Sequence, residues 1–374
     1  MKTVAIISRH AISNYGSLLQ AFALEQTIRD LGYDVRTIDY IRKEEKSWHL
    51  CKVELLNSKW NANRVTRFVF YAVNIPNRAR QFFRFSKFRR ELLHLTKEYG
   101  SIDEIKKELP KADLYCTGSD QVWNETIYNQ LDWTYFLTFL DNQKRIAYAA
   151  SFGKESVKEE LKPQVLGALS KYGRISVREQ SGLDIMNSMG IPGTVVLDPT
   201  LLLSCEKWEK IIGEAAVPQE KYILLYQIHK NEDLVEYALQ YARRIGCKVY
   251  NISVSFTQKH DGMKFVCLPS YKEVLALFKG AHCIVTDSFH ATAFSINFNK
   301  RFVTILPKLS ASRIRSILST MELESRVLTD TNDFDLPENE IDYSLINPKL
   351  KSLRKTSIAW LDAAIKETVG EVSI

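Results

Sequence analysis

Short apolar runs and longer stretches of helical periodicity succeed one another along the chain, separated by turn-forming residues. Val4 to Ser8 is an apolar run, Ser13-Asn14-Tyr15-Gly16-Ser17 a turn and cap cluster, and Leu18 to Leu31 a helical stretch stopped by Gly32. Val35 to Tyr40 reads as the next strand, so the chain is expected to open as a βαβ unit with a parallel sheet. Further strands are predicted at Leu114 to Thr117, Ile146 to Ser151, Ile175 to Arg178 and Thr194 to Leu197, with helices at Lys158 to Ser170 and Gln180 to Ser188. A proline directly after a strand cannot extend it, which makes Leu197-Asp198-Pro199-Thr200 the best domain boundary.

The second half repeats this grammar. Strands are expected at Tyr222 to Gln227, Lys248 to Ile252, Lys264 to Leu268, Cys283 to Thr286 and Phe302 to Leu306. The helices are Glu206 to Ile212, Glu232 to Ile245, Tyr271 to Phe278, Phe289 to Asn297 and Ser312 to Met321, and Leu350 to Glu367 is a last helix expected to pack back on the first domain. The predicted fold class is α/β, with two Rossmann-like domains facing each other across a cleft. Residues 1–198 form the first domain with a basic helical insertion over 52–97, 199–345 the second, and 346–374 the C-terminal helix. Ligands in such sheets lie outside the carboxyl ends of the strands, so the loops there are where chemistry is sought.

The 374 residues, 45% of them hydrophobic and 25% charged, are an ordinary globular composition that leaves room for two cores. Six cysteines without a C-x-x-C pair support neither a zinc site nor a disulfide framework, and a reduced, cytoplasmic chain is the simplest expectation. No apolar stretch approaches the roughly 18 residues of a membrane span, and the opening run is too short for a signal peptide core. The net charge of +7 is local: Trp60 to Lys97 carries nine Lys/Arg and only Glu91, which leaves the other residues at −1. That segment also holds eight aromatic residues, so peripheral contact with an anionic membrane through 60–97 is one expectation, and Arg stems lying over a core is the other. Nucleic acid is not expected, because the basic residues match no binding module, and no histidine pair or carboxylate cluster has the spacing of metal ligands.

Four loops carry polar groups suited to a ligand. In Asn14-Tyr15-Gly16-Ser17, Gly16 permits close backbone approach and Ser17 is a cap residue whose helix offers amides to an anion; the plain alternative is a capped helix. Thr117-Gly118-Ser119-Asp120-Gln121-Val122-Trp123-Asn124 mixes a carboxylate, two amides and an indole as a hydroxyl-rich ligand requires. Asp120 there is a candidate base toward an attacking alcohol, and a turn with a capping aspartate is the alternative. Arg178, at the end of a strand, is placed to grip a carboxylate or phosphate, or else to form a structural ion pair with Glu179 or another acid. In Thr286-Asp287-Ser288-Phe289-His290, the histidine falls in the first turn of a helix, where the positive dipole end lowers imidazole basicity.

These pieces, with Tyr148-Ala149-Ala150-Ser151-Phe152-Gly153 and Val196-Leu197-Asp198-Pro199-Thr200, occur in an order that resembles the polysaccharide pyruvyl transferase family over roughly the first 300 residues. The resemblance implies a fold similar to the GT-B glycosyltransferases. It also implies transfer of the enolpyruvyl group of phosphoenolpyruvate to a sugar diol of a surface polysaccharide precursor, giving a pyruvate ketal and phosphate. Phosphoenolpyruvate is then a co-substrate and no cofactor is implied; the expected place of action is the cytoplasm, at the inner membrane face. By resemblance His290 is the acid and Arg178 grips the donor, with Asn14, Gly16, Ser17 and Ser288 expected beside it. Gln121, Trp123 and Asn124 are the candidates to face the acceptor, and a core indole is the alternative for Trp123. Family members carry Arg-x-His where this chain has Ser288-Phe289-His290, and Arg313, in the segment after the next strand, is expected to supply the missing cation. The competing readings are a GT-B-type glycosyltransferase using a nucleotide sugar, and a non-catalytic relative that docks on membranes. Against the former, no glutamate occurs between Glu273 and Glu322.

Overall fold

The computed structural model describes residues 1–42, 45–56, 58–126, 129–307 and 311–370, and the account below concerns those. The first sheet contains β1 (Thr3–Ile7), β2 (Asp34–Tyr40), β3 (Leu95–Tyr99), β4 (Leu114–Thr117), β5 (Arg145–Ala150), β6 (Arg174–Val177) and β7 (Thr194–Val195). Their order is β3-β2-β1-β4-β5-β6-β7, with every pairing parallel. The second sheet contains β8 (Tyr222–Tyr226), β9 (Lys248–Ser253), β10 (Lys264–Cys267), β11 (Cys283–Thr286) and β12 (Arg301–Thr304), ordered β10-β9-β8-β11-β12 and again parallel. Strand order reverses between β1 and β4 and between β8 and β11, and these switch points are where a parallel sheet opens a crevice for ligands.

The helices are α1 (Tyr15–Asp30), α2 (Ser47–Leu56), α3 (Arg64–Leu92), α4 (Ile102–Lys107), α5 (Lys162–Leu169), α6 (Gln180–Ser188), α7 (Pro199–Leu202), α8 (Cys205–Ile212), α9 (Glu232–Ile245), α10 (Tyr271–Gly280), α11 (Phe289–Asn297), α12 (Ala311–Met321) and α13 (Tyr343–Val369). Fully buried strands such as β4, β5 and β8 read as unbroken apolar runs because helices cover both faces.

Three elements depart from the sequence reading for physical reasons. β3 is an edge strand with one buried residue of five, so it lacks the apolar run that marks the inner strands, and the insertion ends with α3 at Leu92 rather than at 97. The basic segment forms one 29-residue helix that runs through Pro76. α13 starts seven residues before Leu350, at a cap where Asp342 accepts from the Ser344 amide at 2.9 Å, and continues through Pro348. Residues 371–374 of the expected C-terminal segment lie outside the described residues.

α13 returns to the first domain. The Ser357 hydroxyl accepts from the Leu197 amide at 3.1 Å and Trp360 packs on Tyr148, while Arg354 Nε ties the helix to the start of the second domain by donating to the Leu201 carbonyl at 2.7 Å. The two domains also meet directly, since Tyr15 donates to the Pro269 carbonyl at 2.6 Å, and within the second domain Asn297 fixes the segment after the boundary by donating to the carbonyls of Thr200 and Leu203. These bonds hold the carboxyl ends of the two sheets toward a common crevice.

Candidate functional site

The crevice is walled on one side by loops leaving β4, β6 and β7. Asp120 follows β4 in a left-handed conformation, φ 77°, which an aspartate tolerates better than most side chains. Its Oδ1 accepts from the Gln121 amide at 2.8 Å and from Arg178 Nη2 at 3.2 Å, and its Oδ2 accepts from the Ser17 hydroxyl on α1. Arg178 leaves β6 with its side chain wholly buried. Nη1 donates to Asp198 Oδ2 at 2.8 Å, Nε faces Glu179 Oε2 at 3.5 Å, and the guanidinium carbon lies 4.6 Å from the centre of the Phe289 ring. Asp198 after β7 also accepts from the amide and hydroxyl of Thr200 and from the Ser119 hydroxyl, while Arg178 Nε and Glu179 Oε2 have no hydrogen-bond partner among the described residues.

This wall is an ion network of three carboxylates around one guanidinium. Burial disfavours their charged forms, but Arg178 with the neighbouring His290 and Arg313 holds Asp120 well below the usual carboxylate range, and His290 and Arg178 hold Asp198 down likewise. Burial likewise works against the arginine, yet Asp198, Asp120 and Glu179 raise its pKa further.

The facing wall comes from the second domain. His290, in the first turn of α11, leans on the backbone of α1 at Gly16. A Cβ there would lie 2.2 Å from His290 Nδ1, so glycine is what lets the imidazole reach the first domain. His290 Nε2 points toward Asp198, 3.9 Å from Oδ2, and is buried with no hydrogen-bond partner among the described residues. Burial pushes its pKa down to about 4; Arg178 and Arg313 add to that, and Asp198 and Asp120 oppose it. The resting imidazole is therefore neutral at pH 7.

Arg313 lies in the first turn of α12 rather than in the preceding loop, and partly buried. No carboxylate of the described residues pairs with it, and its Nε is buried without a partner. With its oxygen turned to the guanidinium, the Gln121 amide accepts from both terminal nitrogens, at 2.6 and 3.0 Å. Burial and the Arg178 charge push Arg313 down to about 10, which leaves it a cation at neutral pH. Beyond it, His229 after β8 pairs with Asp287 at 3.3 Å, and that bond raises its pKa.

Several expectations change against this geometry. Arg178 does not stand free to grip a donor, because its edge is filled by Asp198 and Asp120; the ion-pair alternative is what the structure contains. Asp120 is a poor base, since a carboxylate held that acidic attracts protons weakly. Trp123 is 1% exposed and stacks between Phe136 and Phe152, so it belongs to the core and offers no face to a sugar. Asn14 caps α1 by accepting from the Ser17 amide at 3.2 Å and Ser288 caps α11 by accepting from the Ala291 amide at 3.4 Å, which accounts for both residues within their own helices. Gln121 and Asn124 remain at the crevice, in contact with each other at 2.5 Å. Glu179, Asp198 and His229 were not singled out as site residues, although Glu179 and Asp198 stood inside quoted motifs; His229 had no signal beyond its place after a strand.

Beside this crevice, a second cleft of about 600 Å³ opens at the carboxyl ends of β1, β2 and β3, bordered by Asn14, Tyr40, Arg42, Gln130 and Trp133. Asn14, on its border, is two residues from Gly16, against which His290 packs. Among the described residues no group of three or more metal-ligating side chains gathers.

Two parallel-sheet α/β domains joined in this way make the chain a GT-B-fold protein. It aligns over 100% of its length with 98% of a Staphylococcus aureus MnaA–UDP co-structure, at TM-score 0.56 and 11% identity. It aligns likewise with 100% of the UDP-GlcNAc 2-epimerase of Neisseria meningitidis bound to UDP-GlcNAc, at TM-score 0.53 and 12% identity. A putative UDP-N-acetylglucosamine 2-epimerase of Listeria monocytogenes gives TM-score 0.52 at 9% identity, covering 100% of this chain and 97% of that one. At such identities the likeness concerns the fold alone. No curated protein matches the chain. The family model for polysaccharide pyruvyl transferase matches residues 14–308, a span that runs from the cap of α1 to the segment before α12. The chain belongs to the polysaccharide pyruvyl transferase family.

Proposed function

We propose that the protein transfers the enolpyruvyl group of phosphoenolpyruvate to a sugar diol, forming a cyclic pyruvate ketal and releasing phosphate. One observation carries this reading: the buried, unpartnered Nε2 of His290 lies close to Arg313, a cation that forms no ion pair with any carboxylate of the described residues. A small polyanion with a protonatable carbon suits that pair. Arg313 and His229 would hold its charged ends while His290 faces the methylene.

In this scheme one sugar hydroxyl attacks C2 of the donor as the imidazolium delivers a proton to C3. The C2–O bond to phosphate then breaks, its electron pair leaving with phosphate, and the second hydroxyl adds to the same carbon. Of the two hydroxyl protons, one restores His290 and the other leaves with phosphate. The neutral imidazole of the empty crevice gains its proton as the anion binds, because a nearby negative charge raises imidazole basicity. The adjoining cleft is the acceptor side, with the half-buried Trp133 in the ring-stacking place expected of Trp123.

Titration calorimetry with phosphoenolpyruvate and with UDP separates this reading from a sugar-nucleotide transferase. The expected result is heat from phosphoenolpyruvate alone, together with phosphate release that needs both donor and glycan and is lost in His290→Ala. Binding of UDP with none of phosphoenolpyruvate would overturn the proposal.

A further inference from the structure

α3 is two helices in function. Its buried residues, Asn77, Gln81, Phe85, Ser86, Phe88 and Arg89, all lie in the second half. There four of the cations have partners in the protein, while Lys87 and Arg90 stay exposed. Arg78 pairs with Glu54, Arg80 lies over Phe256 at 4.7 Å, Arg84 lies over Phe88 at 5.0 Å, and Arg89 donates to the Ala11 carbonyl at 3.2 Å. The first half, from Arg64 to Pro76, buries nothing and projects from the domain with α2 packed beside it.

The projecting half nevertheless carries an apolar stripe. Val65, Phe68, Val69 and Val73 follow the i, i+3, i+4, i+8 spacing of one helix face and are 72, 72, 40 and 53% exposed. Trp60, at the turn leading into α3, is 49% exposed. A stripe that would ordinarily face a core here faces solvent. Lys59, Arg64 and Arg67 flank it, all exposed, and from Leu55 to Arg90 the sequence contains no Asp or Glu. No helix of the described residues is long and apolar enough to cross a membrane. An apolar face rimmed only by cations matches a surface that is apolar beneath and anionic on top.

We propose that the tip of the α2–α3 hairpin docks on an anionic lipid bilayer, with Phe68, Val65, Val69 and Trp60 entering the acyl boundary and Lys59, Arg64 and Arg67 at the headgroups. The inference does not depend on the reaction assigned to the crevice, since its readout is partition and not turnover. The hairpin's base, Leu50, Arg78, Gln81 and Phe82, borders the 600 Å³ cleft, so docking brings that cleft to the membrane surface.

The test is co-sedimentation of the full chain with vesicles of phosphatidylcholine alone and of phosphatidylcholine mixed with phosphatidylglycerol. Partition to the anionic vesicles alone, weakening with salt, is expected. Arg64→Gln with Arg67→Gln should lower it about fivefold per charge. Phe68→Ser should lower it about tenfold or more, since a buried Phe is worth that much transfer free energy. Circular dichroism should show both variants folded, because nothing at the tip is buried. Leu345→Ser, at an equally exposed apolar residue of α13, should change nothing. Absence of binding to anionic vesicles overturns the proposal, as does an equal loss in Leu345→Ser. A salt-resistant dimer that Phe68→Ser dissolves, without vesicle binding, overturns it in favour of a second copy on this face.

Discussion

The two walls of the crevice are built from similar chemistry and differ in what is left over. On the first-domain side Arg178 meets Asp120, Glu179 and Asp198, and the carboxylates in turn accept from Ser17, Ser119, Ser151 and Thr200. On the second-domain side His290 keeps a bare Nε2 and Arg313 has an amide for company in place of an acid. Orphaned atoms occur on both walls, since Arg178 Nε and Glu179 Oε2 are also buried without a hydrogen-bond partner among the described residues. What differs is charge, because three carboxylates ring Arg178 while no carboxylate of the described residues pairs with Arg313. That difference favours a framework place for Arg178, the arginine most suggestive in the sequence, and makes Arg313 the one to test as the ligand's cation.

The comparison is broken or sharpened by four measurements, ordered by expected change in stability. Arg178→Ala leaves three buried carboxylates around an empty place, and removing one partner of a buried ion network costs about 3–5 kcal/mol. Urea denaturation should show that loss. A fully stable variant that fails only to bind phosphoenolpyruvate would return Arg178 to the ligand.

The next effect is a pH dependence belonging to His290. The unfolded imidazole takes up a proton near its ordinary value of 6.5, while the folded one resists until about pH 4. Between those values the unfolded state binds more protons, so stability rises with pH across the window and levels off above it. The amplitude is on the order of 3 kcal/mol at about 1.36 kcal/mol per pKa unit. Denaturation series at several pH values should lose this slope in His290→Phe, and a slope unchanged by the substitution would move the buried base elsewhere.

Much of the architecture was legible because the inner strands of these sheets are largely apolar runs closed by a turn signal; β4, β11, α6, α9 and α11 fall where periodicity puts them. β3 was not legible, since an edge strand alternates against solvent on most of its residues. In the site, the motifs told which loops mattered but not who pairs with whom. Asp120, Arg178 and Asp198 are 58 and 20 residues apart, and only strand order brings β4, β6 and β7 to one edge. For Trp123 the sequence leaves a sugar face and the core both open, and the indole turns to the core, stacked on Phe136 with Phe152 tilted against it. Gly16 was legible as a close approach, but not that the approaching group would be His290.

That contact supplies the third measurement. In Gly16→Ala the added Cβ would overlap the imidazole, 2.2 Å from Nδ1, so either α1 or α11 must shift. Overpacking of this kind typically costs about 1–3 kcal/mol. The sharper readout is pairwise: with His290→Ala in the background the penalty should largely vanish, because the obstacle is gone. A penalty that persists in the double variant would mean that α1 is strained against something other than the histidine.

The smallest stability change is expected at Arg313, and there the two walls part most clearly. Removing a cation that pairs with no carboxylate of the described residues, and that burial and Arg178 disfavour while Asp120, Glu179 and Asp198 attract it from farther off, takes less from the fold; Arg313→Ala should cost on the order of 1 kcal/mol. Its effect belongs to the ligand. A hydrogen bond to a charged group is worth about 1.5–3 kcal/mol, so phosphoenolpyruvate affinity should fall roughly tenfold to a hundredfold. Arg313→Lys should recover part of it, since the charge returns without the two-pronged geometry. Urea denaturation and calorimetry on the same preparations give both quantities. Were Arg313→Ala to unfold the protein while donor binding per folded molecule stayed intact, Arg313 would join Arg178 as framework and the crevice would hold no cation free for an anion.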